Sequence, residues 1–349
     1  MNLYQLGIKK EQLDFFEEYF TSDFQLGRIS LVAQNHFRIL TTKGECKGEI
    51  TQKLVQNNSI PAIGDWVIVN ELADFQLIID ILPRISELKR QSKKHESLNQ
   101  YIATNLDEVF VVMGLDNDFN LNRLERYIIQ INESKANPVI ILNKMDTIED
   151  YKDKVKLVED RVKDIPIIVT SVTKGINLEQ IKNRFHEGMT ATLVGSSGVG
   201  KSSIANYLIG NDTLKVNSTR DADSKGRHTT THRGLYFIEP NGIIIDTPGM
   251  RSLSISADKE VIENSFEDIM DLAKYCKFKD CSHDNEPECR VQEAIKSGEL
   301  DQSRYDNYLK LLREVAFNES KVSKKAASEK KQEWKSITKS NRKRNKVKY

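Results

Sequence analysis

The octapeptide Gly195-Ser196-Ser197-Gly198-Val199-Gly200-Lys201-Ser202 decides how the rest of the chain is read. It follows the apolar run Thr190–Val194 and opens onto a helical pattern, Ser203–Ile209. That is the strand, loop and helix order a phosphate-binding loop requires. Glycines let the backbone curl around phosphate oxygens with successive N–H groups aimed inward, and the helix start behind them adds positive potential. In such a loop Lys201 would bridge the terminal phosphates of a nucleotide and the Ser202 hydroxyl would ligate Mg²⁺.

Four other loops supply what the phosphate loop lacks. Asn143-Lys144-Met145-Asp146 follows the apolar run Pro138–Leu142. A carboxylate at Asp146 can accept from both guanine N1–H and the exocyclic amine, and a site built for those donors rejects adenine because its own polar groups would be left unpaired. Asn143 would brace neighbouring loops, and the aliphatic stem of Lys144 would cover the ring. The turn Thr170-Ser171-Val172 is placed to offer a backbone N–H to guanine O6. Asp246-Thr247-Pro248-Gly249 ends the run Gly242–Ile245; Asp246 would hold Mg²⁺ through water and the Gly249 N–H would sense the γ-phosphate. In the polar stretch Gly226-Arg227-His228-Thr229-Thr230-Thr231, a threonine, Thr230 or alternatively Thr231, would complete the Mg²⁺ shell. The expected ligands are therefore GTP or GDP with Mg²⁺.

The order of these elements is base loop, O6 loop, phosphate loop, Thr loop, Asp-x-x-Gly. Ras-like GTPases begin with the phosphate loop, so this arrangement is a circular permutation, tolerable because domain termini usually lie at the surface and often near each other. Its consequence is mechanical: the loop that senses the γ-phosphate feeds directly into the C-terminal segment.

Working outward, residues 108–245 alternate strand and helix patterns, which predicts a mostly parallel sheet covered on both faces. Before them, short alternating runs at Arg28–Ala33, Phe37–Thr41, Gly48–Leu54, Trp66–Asn70 and Leu77–Leu82 suggest a small closed barrel, an OB-fold or an SH3-like one. Residues 1–24 interleave acidic and aromatic side chains, as in a short amphipathic helix lying on another element. Beyond Asp258 no strand pattern remains, and residues 259–275 and 303–317 read as helical. Between them Cys276, Cys281, His283 and Cys289 offer three thiolates and an imidazole, enough for a closed, structural Zn²⁺ site. Cys46, remote from this cluster, reads as a buried hydrophobe.

The whole chain, at 349 residues and +1 net charge, is long enough for two or three domains. The charge is unevenly spread: residues 321–349 hold 12 Lys or Arg against 2 Glu, so about −9 lies on the remainder. RNA phosphate is the natural partner for such a tail, with Trp334 and Tyr349 available to stack on bases. The absence of a long apolar run or a leader-like start disfavours membrane insertion and secretion, and the cysteine cluster suits a reducing cytoplasm.

With these motifs in place, the sequence resembles the RsgA (YjeQ/YloQ) family of circularly permuted GTPases of small-ribosomal-subunit maturation. The resemblance spans about residues 25–320. It includes Gly64-Asp65-Trp66-Val67, Ile81-Leu82-Pro83-Arg84, Ala103-Thr104-Asn105-Leu106-Asp107, the Gly226–Thr231 stretch and the zinc segment. It implies an OB-fold barrel, then an α/β permuted GTPase, then a helical zinc-binding domain, with hydrolysis stimulated by the small subunit. The expected divisions are a helical extension at 1–24, the barrel at 25–92, the GTPase at 93–255, the zinc domain at 256–320 and the basic tail at 321–349. Met250 stands where Ras-like enzymes use a glutamine to orient the attacking water; His228 is the candidate replacement, which the resemblance supports. The leading expectation is a slow cytoplasmic GTPase, monomeric, that docks on the small subunit and its rRNA; the alternative is a nucleotide-gated RNA-binding adaptor with negligible hydrolysis.

Overall fold

A computed structural model describes residues 1–21, 23–33, 36–73, 75–91, 99–210, 234–240, 242–246, 259–284 and 286–317. The chain divides into two compact units, Met1–Ser254 and Ile255–Tyr349.

The first unit opens with α1 (Lys10–Tyr19) and then builds a closed barrel from β1 (Gln25–Ala33), β2 (His36–Thr41), β3 (Gly44–Ile50), β4 (Trp66–Glu71) and β5 (Gln76–Ile81), with α2 (Gln52–Gln56) between β3 and β4. Strand order is β1-β2-β3-β5-β4, β4 returns to β1, and the β3–β5 pair is parallel. That is OB topology rather than the SH3-like alternative. The apolar run Gly48–Leu54 expected as one strand is divided: β3 ends at Ile50, and Leu54 turns inward from α2 to fill the barrel with Ile29, Phe37, Ile39, Val67, Val69 and Ile78. Along β4 the alternate residues Trp66 and Ile68 face outward, yet they too are buried, because Leu6, Ile8 and the apolar side of α1 cover them. The amphipathic helix thus lies on the barrel, burying a face that would otherwise be wet.

A hairpin, β6 (Glu87–Gln91) and β7 (Asn99–Thr104), leads into the nucleotide-domain sheet. This sheet is built from β8 (Glu108–Gly114), α3 (Leu121–Glu133), β9 (Asn137–Asn143), α4 (Tyr151–Arg161), β10 (Ile167–Val169), α5 (Leu178–Lys182), β11 (Thr190–Val194), α6 (Lys201–Ile209), β12 (Gly234–Ile238) and β13 (Gly242–Asp246). The order is β10-β9-β8-β11-β13-β12, parallel throughout except β12. Strand period decides the two faces: Val109, Val111 and Met113 pack with α3, whereas Phe110 and Val112 pack with Leu178 and Ile181 of α5 and Ile204 and Leu208 of α6. The chain winds from β8 outward through β9 and β10, then returns to β11 on the other side. The crevice at the carboxyl ends of β8 and β11 is therefore the topological switch point, where open α/β sheets bind ligands.

Barrel and sheet are joined by a buried polar knot. Asp65, fully buried, accepts from Arg84 Nε and Nη2 at 2.7 Å each, from Thr104 Oγ1 at 2.7 Å and from Ala62 N at 2.7 Å. Arg28, also fully buried, donates to the carbonyls of Leu6 (2.5 Å), Gly64 (3.4 Å) and Asn105 (3.3 Å). Burial pulls its guanidinium down to about 10, against the charges of Asp107 and Asp65. The short stretches singled out in the sequence around Gly64, Arg84 and Thr104 therefore serve to fix the barrel on the sheet.

The second unit contains α7 (Lys259–Ser265), α8 (Glu267–Ala273), α9 (Arg290–Ser297) and a helix over residues 302–317. The stretch expected as one helix over 259–275 breaks at Phe266, which leaves helical geometry (φ −123°, ψ 43°) and buries its ring under Arg304, 4.7 Å from the guanidinium, and beside Tyr308. No helix among the described residues is long and apolar enough to cross a membrane.

Candidate nucleotide site and metal cluster

Every described nucleotide-site residue lies at the carboxyl end of a parallel strand. β9 ends in Asn143, β10 leads to Ser171, β11 leads into Gly195–Gly200, and β13 ends in Asp246. Asn143, almost wholly buried, ties three of these loops together. Its Nδ2 donates to the Val199 carbonyl of the phosphate loop at 2.7 Å, and its Oδ1 accepts from Val172 N at 3.2 Å. Gly200 is essential to that junction: its φ is +102°, and a Cβ there would lie 2.3 Å from Asn143 Nδ2. Ser171 Oγ donates to Asp146 Oδ1 at 2.5 Å and accepts from Lys174 N at 3.1 Å, so the turn after β10 also orients the Asp146 carboxylate. Lys144 takes left-handed geometry (φ 67°), which turns the chain sharply after β9.

In the phosphate loop Gly195, Gly198 and Gly200 all have positive φ. Lys201 Nζ donates to the carbonyls of Gly195 at 2.9 Å and Ser196 at 2.5 Å, inside the curl of its own loop. Ser202 and Ser203 follow half-buried in the first turn of α6. Asp246 is half-buried; burial of the Tyr236 phenol raises it, and the Asp246 charge adds to that. His228, Thr230, Thr231 and Gly249 lie outside the described residues.

Sequence reasoning passed over Asp116 and Asp118 in the loop after β8. Asp116 Oδ2 accepts from Lys144 Nζ at 2.8 Å, and Asp118 Oδ1 accepts from Ser196 Oγ at 2.5 Å. The only linear signal was an Asp-x-Asp after a strand, too common to single out.

In the second unit, one donor atom from each of Cys276, Cys281, His283 and Cys289 lies within 4.8 Å of the others. His283 Nδ1 is 3.5 Å from the sulfurs of both Cys276 and Cys289, and those sulfurs are 3.9 Å apart. Zinc bonds of about 2.3 Å to sulfur and about 2.0 Å to nitrogen give tetrahedral edges of about 3.8 Å between sulfurs and about 3.5 Å from sulfur to nitrogen, so the donor set fits that ion. Burial and the neighbouring thiols push Cys281 up to about 11, while burial lowers His283. A bound cation would offset the cost of ionising the Cys281 thiol in this cluster. His283 has φ 59°, and its carbonyl accepts from Gln292 Nε2 at 2.7 Å and Tyr305 Oη at 3.0 Å, which hold the loop from two helices. Cys46 is only half-buried, its thiol 3.4 Å from the Ile39 carbonyl inside the barrel.

A permuted strand order, a glycine-curled phosphate loop and a base loop pinned to it by Asn143 define a circularly permuted P-loop GTPase carried behind an OB barrel. The RsgA GTPase family model matches residues 81–256. A small ribosomal subunit biogenesis GTPase, RsgA 1 of Oceanobacillus iheyensis, is 37% identical over 90% of this chain and 91% of its own. The crystal structure of YjeQ from Thermotoga maritima aligns with TM-score 0.64 and 27% identity over 84% of this chain and 99% of that one. YloQ, described as a circularly permuted GTPase, shares the fold with TM-score 0.60 and 24% identity over 85% of this chain and 97% of that one. The chain belongs to the RsgA GTPase family.

Proposed function

We infer that this protein binds GTP across the crevice at the carboxyl ends of its parallel sheet, hydrolyses it slowly alone, and completes hydrolysis on the small ribosomal subunit during late maturation. The observation that carries the reading is the Asn143 bridge, which fixes the base loop 2.7 Å from the phosphate-loop backbone and so couples recognition of guanine to the phosphate seat. Curated relatives that match nearly the whole chain are named for small-subunit biogenesis, which supports the choice of partner.

Within that reading Asp146 selects the base, the turn Thr170-Ser171-Val172 offers a backbone N–H to guanine O6, Lys144 covers the ring, and Gly195–Ser203 cradle the phosphates. Lys201 leaves its resting carbonyls for the terminal phosphates. Ser202 and Thr230 would hold Mg²⁺, with Asp246 acting through water; the ion, when bound, neutralises charge on the β- and γ-phosphates. Gly249 reports the γ-phosphate to the C-terminal segment. His228 orients the attacking water in place of the glutamine whose position Met250 holds, and the missing glutamine accounts for low intrinsic turnover. The OB barrel and the basic residues 321–349 contact rRNA, the zinc-bound unit supports that contact, and the protein acts as a cytoplasmic monomer. The divisions at 24/25, 92/93, 255/256 and 320/321 separate these roles.

The test is GTP turnover by the purified protein with and without small ribosomal subunits, with ATP and large subunits as controls. Stimulation by small subunits alone is expected. GTP bound tightly but never cleaved faster on the subunit would refute the enzymatic reading.

A further inference from the structure

We propose that Asp116 and Asp118 are positioning residues for guanine-nucleotide binding, Asp116 setting Lys144 and Asp118 setting Ser196. The inference rests on the nucleotide reading above and extends it to a loop that carries none of the recognised motifs.

β8 is the central strand of the crevice, with β9 on one side and β11 on the other. Its outgoing loop therefore emerges between the base loop and the phosphate loop, and it sends one carboxylate to each. Asp116 reaches Lys144 Nζ at 2.8 Å; Asp118 reaches Ser196 Oγ at 2.5 Å. The loop is shaped to aim them in opposite directions. Leu115 N donates to the Asn143 carbonyl at 2.9 Å, and Asp118 N donates to Asp116 Oδ1 at 3.1 Å. Asn120 caps α3 by accepting from Arg123 N at 2.8 Å, and Arg123 in turn pairs with Asp118 at 2.7 Å. From α4, Lys154 Nζ donates to the Leu115 carbonyl at 2.6 Å and stands 5.2 Å over the Phe119 ring. At Gly114 a Cβ would lie 2.4 Å from Asp116 Oδ1, so a side chain there would displace the carboxylate from Lys144.

The physical benefit is preorganisation. A free lysine stem loses rotamer entropy when a purine settles on it, whereas one tied at its ammonium has lost that entropy already. Burial alone would raise the Asp116 carboxyl, but the Lys144 hydrogen bond and two backbone N–H groups outweigh it and hold the group below the usual carboxylate range, so it is ionised at neutral pH. On the other side, the Ser196 carbonyl is one of the two on which Lys201 rests, so anchoring the Ser196 side chain steadies the loop that must receive the phosphates.

The experiment titrates the full chain with a fluorescent GDP and with a non-hydrolysable GTP analogue. Asp116→Ala and Asp118→Ala should each weaken both ligands by about five- to tenfold, the loss falling on KM rather than kcat in steady-state hydrolysis. Asp118→Asn keeps an acceptor for Ser196 and should restore binding to within about twofold of wild type. In a Ser196→Ala background, Asp118→Ala should add nothing. Either alanine variant binding both ligands within about twofold of wild type, or the same loss from Asp118→Ala with and without Ser196, overturns the inference. Should Asp118→Ala not fold, Ser196→Ala must reproduce the loss and Asp118→Asn must not, and failure of either overturns it. If wild type binds neither guanine nucleotide, the nucleotide reading itself is wrong, a result distinct from variants that bind as wild type does.

Discussion

Replacing Asn143 by alanine removes a side chain that, among the described residues, ties the base loop, the O6 loop and the phosphate loop together. Two groups lose their partners: the buried Val199 carbonyl, 2.7 Å from Asn143 Nδ2, and the half-buried Val172 N–H, 3.2 Å from Asn143 Oδ1. Each orphaned group costs about 1–3 kcal/mol where water cannot replace the partner, so roughly 2–6 kcal/mol is withdrawn from any state that keeps the three loops together. Without nucleotide these loops end at the open edge of the sheet and can relax, which moves the cost out of folding and into binding. Even the lower bound corresponds to about a 30-fold rise in Kd. Fluorescent-GDP titration of wild type and Asn143→Ala, with melting of both nucleotide-free proteins, measures the two parts separately. A Kd within about threefold of wild type together with an unchanged melting temperature would refute the reasoning, since the two bonds would then carry no measurable energy.

Three further outcomes are expected. Asp65→Asn leaves Arg84 without its buried carboxylate and should cost about 3–5 kcal/mol in thermal or denaturant unfolding; under about 1 kcal/mol would mean that the knot behaves like a surface pair. Chelation of zinc should unfold residues 260–317, read as lost helical signal and new protease cleavage there, and metal analysis should find one zinc per chain; a folded, metal-free segment contradicts the site. His228→Ala should slow subunit-stimulated hydrolysis by about a hundredfold or more with GTP affinity nearly intact, as expected for a group that acts mainly in the transition state, and unchanged turnover on the subunit removes the residue from the mechanism.

How far the sequence carries depends on the range of the interaction. Gly195–Ser202 and Asn143–Asp146 were legible because their chemistry is local: glycines admit the positive φ that curls the phosphate loop, and a polar tetrapeptide ends a buried strand. The cysteine spacing was legible for the same reason, since four ligands within fourteen residues can close on one ion. Strand and helix periods likewise marked the α/β alternation, because each face of β8 meets a different set of helices, while the order of the motifs marked the permutation. The barrel was legible only as a barrel. OB and SH3-like closures use similar short strands, and the choice was made by the parallel β3–β5 pairing, a contact between residues far apart in sequence.

Asp116 and Asp118 were out of reach for a related reason. Nothing in Gly114-Leu115-Asp116-Asn117-Asp118 says which loops will flank it until β8 takes its place between β9 and β11. The roles of Asp65, Arg84, Thr104 and Arg28 emerge only when barrel and sheet close over them, because a buried charge has meaning through the partners that replace its water. The sequence alone determined which chemistry the loops carry, since that is written in residue type and spacing. Tertiary structure decided which loops meet and which charges hold them, because those depend on strand order and on the water excluded when two layers pack.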